Sequence, residues 1–354
     1  MLTRKTDWSL RNAVCEDRNH LADFIGGNAW QHEPNGRAIY EWKYEQNVAG
    51  DTLAIVAINS DQAIVASSMF MPWTLSLDGR DIPACQWVDL FVAPEYRGQS
   101  IAELSLEDGL RQRRQQGRAI CFAFPNAYSV PIHKRANGHH LGLIVRCAKP
   151  LRSEYLIRRK VPSAALARVL ATFVDAGLRL ISKDTYQSAG RVREVTVCGP
   201  EFDEVWTRFQ SSQRGMVMTR RDAAYLQWKF MQSPGKARRL YARYSGDRVD
   251  GWIVLEQTTD IGYIVDVVAT SDAVLNELVA FALKTFRRAR LQSAAFLALE
   301  HNPFFPALRR FGFLPRPEQK HLYVYLDDGL PDAEHFRGPE HWFVTIGDCD
   351  IDHM

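Results

Sequence analysis

Apolar and polar positions along the 354-residue chain run through the same order twice. Residues 53–58 (LAIVAI) and 239–244 (RLYARY) have strand character, and a Trp-Lys-aromatic triplet stands before each: Trp42, Lys43, Tyr44 and Trp228, Lys229, Phe230. A second apolar stretch follows in each half, 62–70 and 249–255, and then a third that contains an aspartate, WVDLFV at 87–92 and YIVDVV at 263–268. A helix is predicted next. Leu275, Leu278, Val279, Ala282, Leu283 and Phe286 fall on one helical face, the spacing of an amphipathic helix packed on a core. Ala102, Leu106 and Leu110 do the same across 101–116. Strands at 119–126 and 294–302 then end near Asn126 and Asn302, and short basic helices at 131–138 and 306–312 run into Gly138 and Gly312.

The spacings point to an internal duplication. Asp89 and Asn126 are 37 residues apart, Asp266 and Asn302 36 apart. Trp42 to Asp89 is 47 residues against 38 for Trp228 to Asp266, so the first copy carries an insert. The expected division is a first domain at 1–160, a connector at 161–200, a second domain at 201–326 and an acidic tail at 327–354. The triplets fit either core packing or the wall of an acceptor groove, since aromatic faces stack on sugars.

Composition narrows the class. Hydrophobic residues at 46% and charged residues at 24% are the balance of an ordered globular chain. The apolar runs fall well short of the ~18 residues of a membrane helix, and the charged N-terminus has no signal-peptide core. The six cysteines form no C-x-x-C pair, which argues against structural zinc and a disulfide framework; a reduced, cytoplasmic protein without membrane insertion is expected. The net charge of +3 hides a split: from Asp327 onward there are eight acidic residues and one arginine. The rest is basic enough for an anionic ligand such as a nucleotide or phosphate, but too mildly so for nucleic acid. Asp348, Asp350 and Asp352 alternate without the Gly-x5-Glu of a calcium loop. No metal is therefore expected, and the tail is expected to fold back on the basic body.

The sharpest local motif is DLFVAPEYRGQSIA at 89–102. An apolar strand stops at Pro94, a turn carries Arg97, Gly98, Gln99 and Ser100, and a helix starts near Ile101. A helix start of this kind offers unpaired amide N–H groups and the positive end of the helix dipole to an anion. Gly98 and Ser100 are small enough for a phosphate to approach the backbone, and Arg97 adds a charged donor. The predicted ligand is a pyrophosphate.

V-A-P-E-Y-R-G-Q-S-I-A resembles the acetyl-CoA motif of the GNAT superfamily of N-acyltransferases, V-x-P-x-x-R-G-x-G followed by Ile or Leu and a small residue. The match covers Val92, Pro94, Arg97, Gly98, Gln99, Ile101 and Ala102; Ser100 stands where the family has glycine. The resemblance extends over about 50–145 and implies an α/β (α+β) fold of two tandem GNAT-like domains, each a mixed, mostly antiparallel sheet flanked by helices. It implies acetyl-CoA or another acyl-CoA as co-substrate, held by Leu90, Phe91, Val92, Arg97, Gly98, Gln99, Ser100, Ile101, Ala102 and Asn126. Acyl transfer to a primary amine needs a route for the amine proton and a donor for the carbonyl oxygen. Asp89 is the candidate base, although Asp266 at the matching place points to a structural role shared by both copies. Lys134 stands where the family often has a tyrosine acid, leaving Tyr128 and His133 as substitutes. The second copy reads VVATSDAVLN at the motif and is expected not to bind CoA. The tail pattern W-x4-G-D-x-D is associated with GNAT-like proteins of polysaccharide biosynthesis, so the implied acceptor is an amino sugar. A peptidyl- or aminoacyl-transferase on a cell-wall precursor and a non-catalytic CoA or glycan module are the alternatives.

Overall fold

A computed structural model describes residues 7–29, 35–181, 186, 191–235 and 237–350. Residues 1–6, most of the polar stretch of the connector (182–185 and 187–190) and Asp352 lie outside the described residues. The first half of the chain runs β1 (Trp8–Asn12), α1 (Arg18–Ala29), α2 (Gly36–Tyr40), β2 (Leu53–Asn59), β3 (Ile64–Leu77), β4 (Arg80–Val92), α3 (Ile101–Gln115), β5 (Ile120–Ala123), α4 (Val130–Arg135) and β6 (His139–Pro150). After α5 (Glu154–Ile157) and α6 (Ala164–Ile181) come β7 (Arg191–Val195), α7 (Glu201–Ser212), β8 (Val217–Thr219), α8 (Ala223–Leu226), β9 (Arg239–Ser245) and β10 (Arg248–Gln257). The chain closes with β11 (Ile261–Ala269), α9 (Asp272–Arg288), β12 (Ser293–Leu299), α10 (Phe305–Arg310), β13 (Leu314–Leu326), α11 (Ala333–Arg337) and β14 (Trp342–Phe343).

The chain divides into two units: 1–142, 232–235 and 319–339 form unit 1, and 143–231, 236–318 and 340–354 form unit 2. In unit 1, β1, β2, β3 and β4 pair antiparallel in sequence, β4 pairs parallel with β5, and residues 323–326 of β13 pair antiparallel on the far side of β5. In unit 2, residues 144–150 of β6 pair antiparallel with β12, β12 pairs parallel with β11, and β10, β9 and β7 follow antiparallel. Both sheets are mixed and mostly antiparallel, with helices packed on them, as α+β architecture requires. Each takes one strand from the other half of the sequence.

The apolar pattern explains these elements. Every residue of the predicted α9 stripe is buried. In unit 1, Phe70, Cys85, Trp87, Leu106 and Cys121 form the core under α3. Gly109 lets that helix sit directly on the sheet, because a Cβ there would meet the Phe70 ring at 2.0 Å. The insert of the first half is the β3–β4 hairpin, whose strands of 14 and 13 residues exceed the 10 and 9 of β10 and β11. Asp78 and Gly79 turn it with positive φ angles of 50° and 79°, the conformation a tight hairpin needs. The two Trp-Lys-aromatic triplets are not extended lead-ins to strands. They lie in wide π-helical turns at Glu41–Glu45 and Gln227–Met231 that close α2 and α8, with all six side chains buried.

The tail folds onto unit 2. Trp342 and Phe343 pair with Val217 and Met218, and residues 342–349 are all buried. Asp348 meets the fully buried Arg221 guanidinium at 2.7 Å, while Arg221 Nε donates to Asp266 at 2.9 Å. Burial pushes the Asp266 carboxyl up to about 6; Arg221 opposes the rise and Asp348 adds to it. Arg221 is therefore the counter-charge that lets two carboxylates share a dry site. Arg221→Met is expected to cost on the order of 3–5 kcal/mol, read as a lower midpoint in urea unfolding. A loss below about 1 kcal/mol, the value of an exposed pair, would show that the cluster contributes nothing special.

Candidate functional site

Strand β4 holds β3 along its whole length as far as Val92, but it pairs with β5 only over Ala84–Gln86. Over 87–92 β4 has no partner in β5, which itself ends at Ala123. Within β4 the register slips so that Asp89 and Leu90 together face Ser68, and Asp89 takes a positive φ of 45°. Such a bulge bends a strand and frees its edge. Asp89 Oδ2 accepts a hydrogen bond from Lys43 Nζ at 2.8 Å and another from Tyr44 Oη, and the Ser67 hydroxyl donates to the Asp89 carbonyl at 3.0 Å. Lys43 is buried, so the ion pair is the reason a lysine can lie there. The half-buried Leu90, Phe91 and Val92 line the free edge.

At the end of this edge a 3-10 turn, Pro94–Tyr96, leads into Arg97, Gly98, Gln99 and Ser100. Gly98 has φ 75°, and a Cβ built on it meets nothing within 4 Å, so a bulky anion can reach the backbone. Ser100 has a left-handed φ of 61° and gives α3 no side-chain cap. Serine adopts this conformation at a cost that glycine avoids, which explains the glycine of the resembled motif. The uncapped start leaves the first-turn amides of α3 facing outward with the helix dipole behind them. Gln99 is fixed by Trp8, whose indole N–H donates to its Oε1 at 2.9 Å, and the exposed Arg97 donates through Nε to the Val92 carbonyl at 3.1 Å. Ile101 is buried with Ala57, Val65 and Ala66, while Ala102 is half-buried on the first turn.

Beyond β5, Asn126 Oδ1 accepts from the amides of Tyr128 at 3.0 Å and Ser129 at 3.1 Å. Asn302 does the same for Phe304 at 3.0 Å, so a loop-capping role recurs in both units. Tyr128 is 93% exposed, whereas His133 is 2% exposed. His133 stacks between Trp87 and Tyr323, with its Nδ1 at 3.0 Å from the Tyr325 hydroxyl. Burial lowers its pKa to about 4. The loop and the β4 edge thus bring Leu90–Ala102 together, while His133 sits in the core.

Unit 2 contains a gap of the same construction, and the chain fills it. Strands β11 and β12 pair from Ile261 with Ser293 to Ile264 with Phe296, and both run on beyond. Leu299 donates its amide to Val344 at 3.0 Å, Thr345 bridges to Ala298, and the Thr345 hydroxyl donates to Asp266 at 2.9 Å. The start of α9 is closed as well: Ser271 caps it by accepting from the Val274 amide. Lys43 and Tyr44, which fit either core packing or a groove wall in the sequence, hold Asp89, and the contact of the tail segment 344–348 with β12 had no signal in the sequence. The repeated triplet was the signal for the first two.

Residues 17–137 match the family model of the acetyltransferase (GNAT) domain. No curated protein matches the chain. Among solved structures, a probable N-acyltransferase from Enterococcus faecalis V583 is similar with a TM-score of 0.67 at 13% identity, covering 91% of this chain and 73% of that one. A GCN5-related N-acetyltransferase from Anabaena variabilis gives 0.65 at 16% identity, over 90% and 72%. The Saccharomyces cerevisiae N-myristoyltransferase with bound myristoyl-CoA gives 0.57 at 13%, over 90% and 83%. At these identities the structures share the fold, and the matched domain sets the class. Residues 17–137 carry the match to a GNAT acetyltransferase domain, and the chain as a whole shares the fold of these structures.

His133 makes stability depend on pH. The native protein holds the imidazole neutral and the unfolded chain does not, so protonation favours unfolding. Stability is present above pH 6.5 and is lost as pH falls towards 4, by on the order of 3 kcal/mol in all. His133→Leu should flatten that part of the pH profile of chemical unfolding; an unchanged slope would place the loss elsewhere.

Proposed function

We propose that unit 1 binds acyl-CoA along β4 and transfers its acyl group, acetyl in the first instance, to a primary amine, with an amino sugar as the acceptor. The observation that carries this reading is the contrast between the two gaps. In unit 1 the edge of β4 over 87–92 is open and runs straight into an uncapped helix start. In unit 2 both features are closed by the chain's own residues. A backbone edge left without a strand suits an extended, amide-bearing arm that can pair with it as a strand would. The amides after Gly98 suit a pyrophosphate, and Arg97 needs only to give up one carbonyl contact to reach it. The same order of elements, an aspartate at or beside a register slip and a capping asparagine in each unit support tandem copies. The acetyl group and the amino sugar rest on the resemblance.

In the proposed transfer the amine lone pair attacks the thioester carbon. A β4 amide stabilises the oxygen charge, the C–S bond breaks, and the sulfur leaves as thiolate. Asp89 is better assigned to holding the bulge than to taking the proton. Its Oδ2 already accepts from Lys43 and Tyr44, and unit 2, whose gap is filled, keeps the corresponding Asp266 ion-paired to Arg221. The amine proton then passes to water, and the thiolate takes one from water. His133 is too deeply placed to donate; Tyr128 stands in solvent, where it gains nothing over water.

The chain is expected to release CoA thiol from acetyl-CoA when an amino sugar is added, and to bind CoA with a stoichiometry of one per chain by calorimetry. Binding of two equivalents, or none, would contradict the reading of the two gaps. Asp89→Asn is expected to lower the melting temperature and raise KM for acetyl-CoA while leaving the pH dependence of kcat in place. A fall in kcat of about 10²-fold together with loss of the acidic limb would restore Asp89 as the general base.

A further inference from the structure

Helix α6 carries its apolar side outward. Leu166, Val169, Leu170, Phe173, Val174 and Leu178 are all exposed, Phe173 at 73% and Val169 at 54%. Their spacing places them on one face of the helix. The adjoining edge, with the buried Ala167 and Ala171, is the side packed against the protein. Asp175 fixes that edge by accepting from the Ser153 amide at 2.9 Å, and the Ser153 hydroxyl donates to the Ala171 carbonyl at 3.4 Å. Tyr155 and Leu156 of α5 add to the exposed apolar surface. A stripe of this length is not the scattered single apolar residue of an ordinary surface.

The exposed charges beside it have one sign. Arg152, Arg158, Arg159, Lys160 and Arg168 are exposed. The acidic groups nearby are already engaged: Glu154 lies 3.7 Å from both Arg152 and Arg168, and Asp175 holds Ser153. An outward apolar face flanked by cations is complementary to a layer of acyl chains beneath anionic headgroups. Helix α6 carries Arg168 and Asp175 within its length, and no helix among the described residues is long and apolar enough to cross a membrane. The fit is therefore to the plane of the interface. A second copy fits less well. Arg158, Arg159 and Lys160 precede the helix, so pairing two copies in parallel sets cations against cations.

We propose that α6, with the basic turn before it, docks unit 2 on an anionic lipid surface. The test is flotation of the full chain with phosphatidylcholine vesicles, with and without phosphatidylglycerol. The chain is expected to float only with the anionic vesicles and to be released as salt is raised, because exposed charge attraction is screened. The double variant Leu170→Ser, Phe173→Ser should weaken binding by about tenfold or more by removing buried apolar area. The triple variant Arg158→Gln, Arg159→Gln, Lys160→Gln should abolish the preference for phosphatidylglycerol. Both should keep the wild-type rate of acyl transfer in solution, since none of these residues lines the β4 gap. Failure to float with either vesicle would overturn the proposal, as would equal flotation of the double variant. A lipid-independent dimer that Phe173→Ser converts to monomer would assign the face to a second copy instead.

Discussion

The bulge at Asp89 is the feature on which the site depends. A parallel pair of strands left to itself continues to hydrogen-bond, because unpaired backbone is costly once it is withdrawn from water. Strands β4 and β5 stop pairing after Gln86, and just beyond it the chain inserts a positive-φ residue and secures its side chain to Lys43 and Tyr44. The buried ammonium gives that arrangement its rigidity: moving Asp89 would strand a charge in the core. Everything that makes the gap useful follows from this clamp. It frees the edge of β4 and brings the turn carrying Gly98 and Ser100 to its end.

The two units show two ways of meeting the same backbone demand. In unit 2, residues 344 and 345 supply the partners of β12, and Asp348 joins Asp266 on Arg221. Apolar packing of Trp342, Phe343 and Ile346 holds the segment in place. Among the described residues, that stretch of β12 is paired by the chain itself. In unit 1 no described tail residue is paired with β4 over 87–92.

Much of this was legible in the sequence wherever the information is local. The α9 stripe, the strand-turn-helix of 89–102 and the order of elements in each half follow from periodicity and turn chemistry, which neighbouring residues determine. What escaped depends on distant partners. Nothing local in Lys43 announces that it meets Asp89, 46 positions away. The Trp-Lys-aromatic triplets form π-helical turns because tertiary packing overrides weak propensities. His133 stood in a basic helix as a substitute acid, yet the helix turns it inward onto Trp87 and Tyr323. The acidic tail suggested a diffuse electrostatic contact; its specific fit to β12 rests on backbone pairing that composition does not encode.

The exchange of outer strands bears on how this polypeptide is made. The strand beside β5 is contributed by residues 323–326, about two hundred positions after β5 itself. A nascent chain that has extruded only its first 150 residues therefore has an unfinished sheet edge, and such edges invite improper association. Completion of the unit 1 sheet must therefore wait until residues 323–326 have been made. Dissecting the chain at the midpoint would yield two fragments, each lacking an edge that only the other can supply.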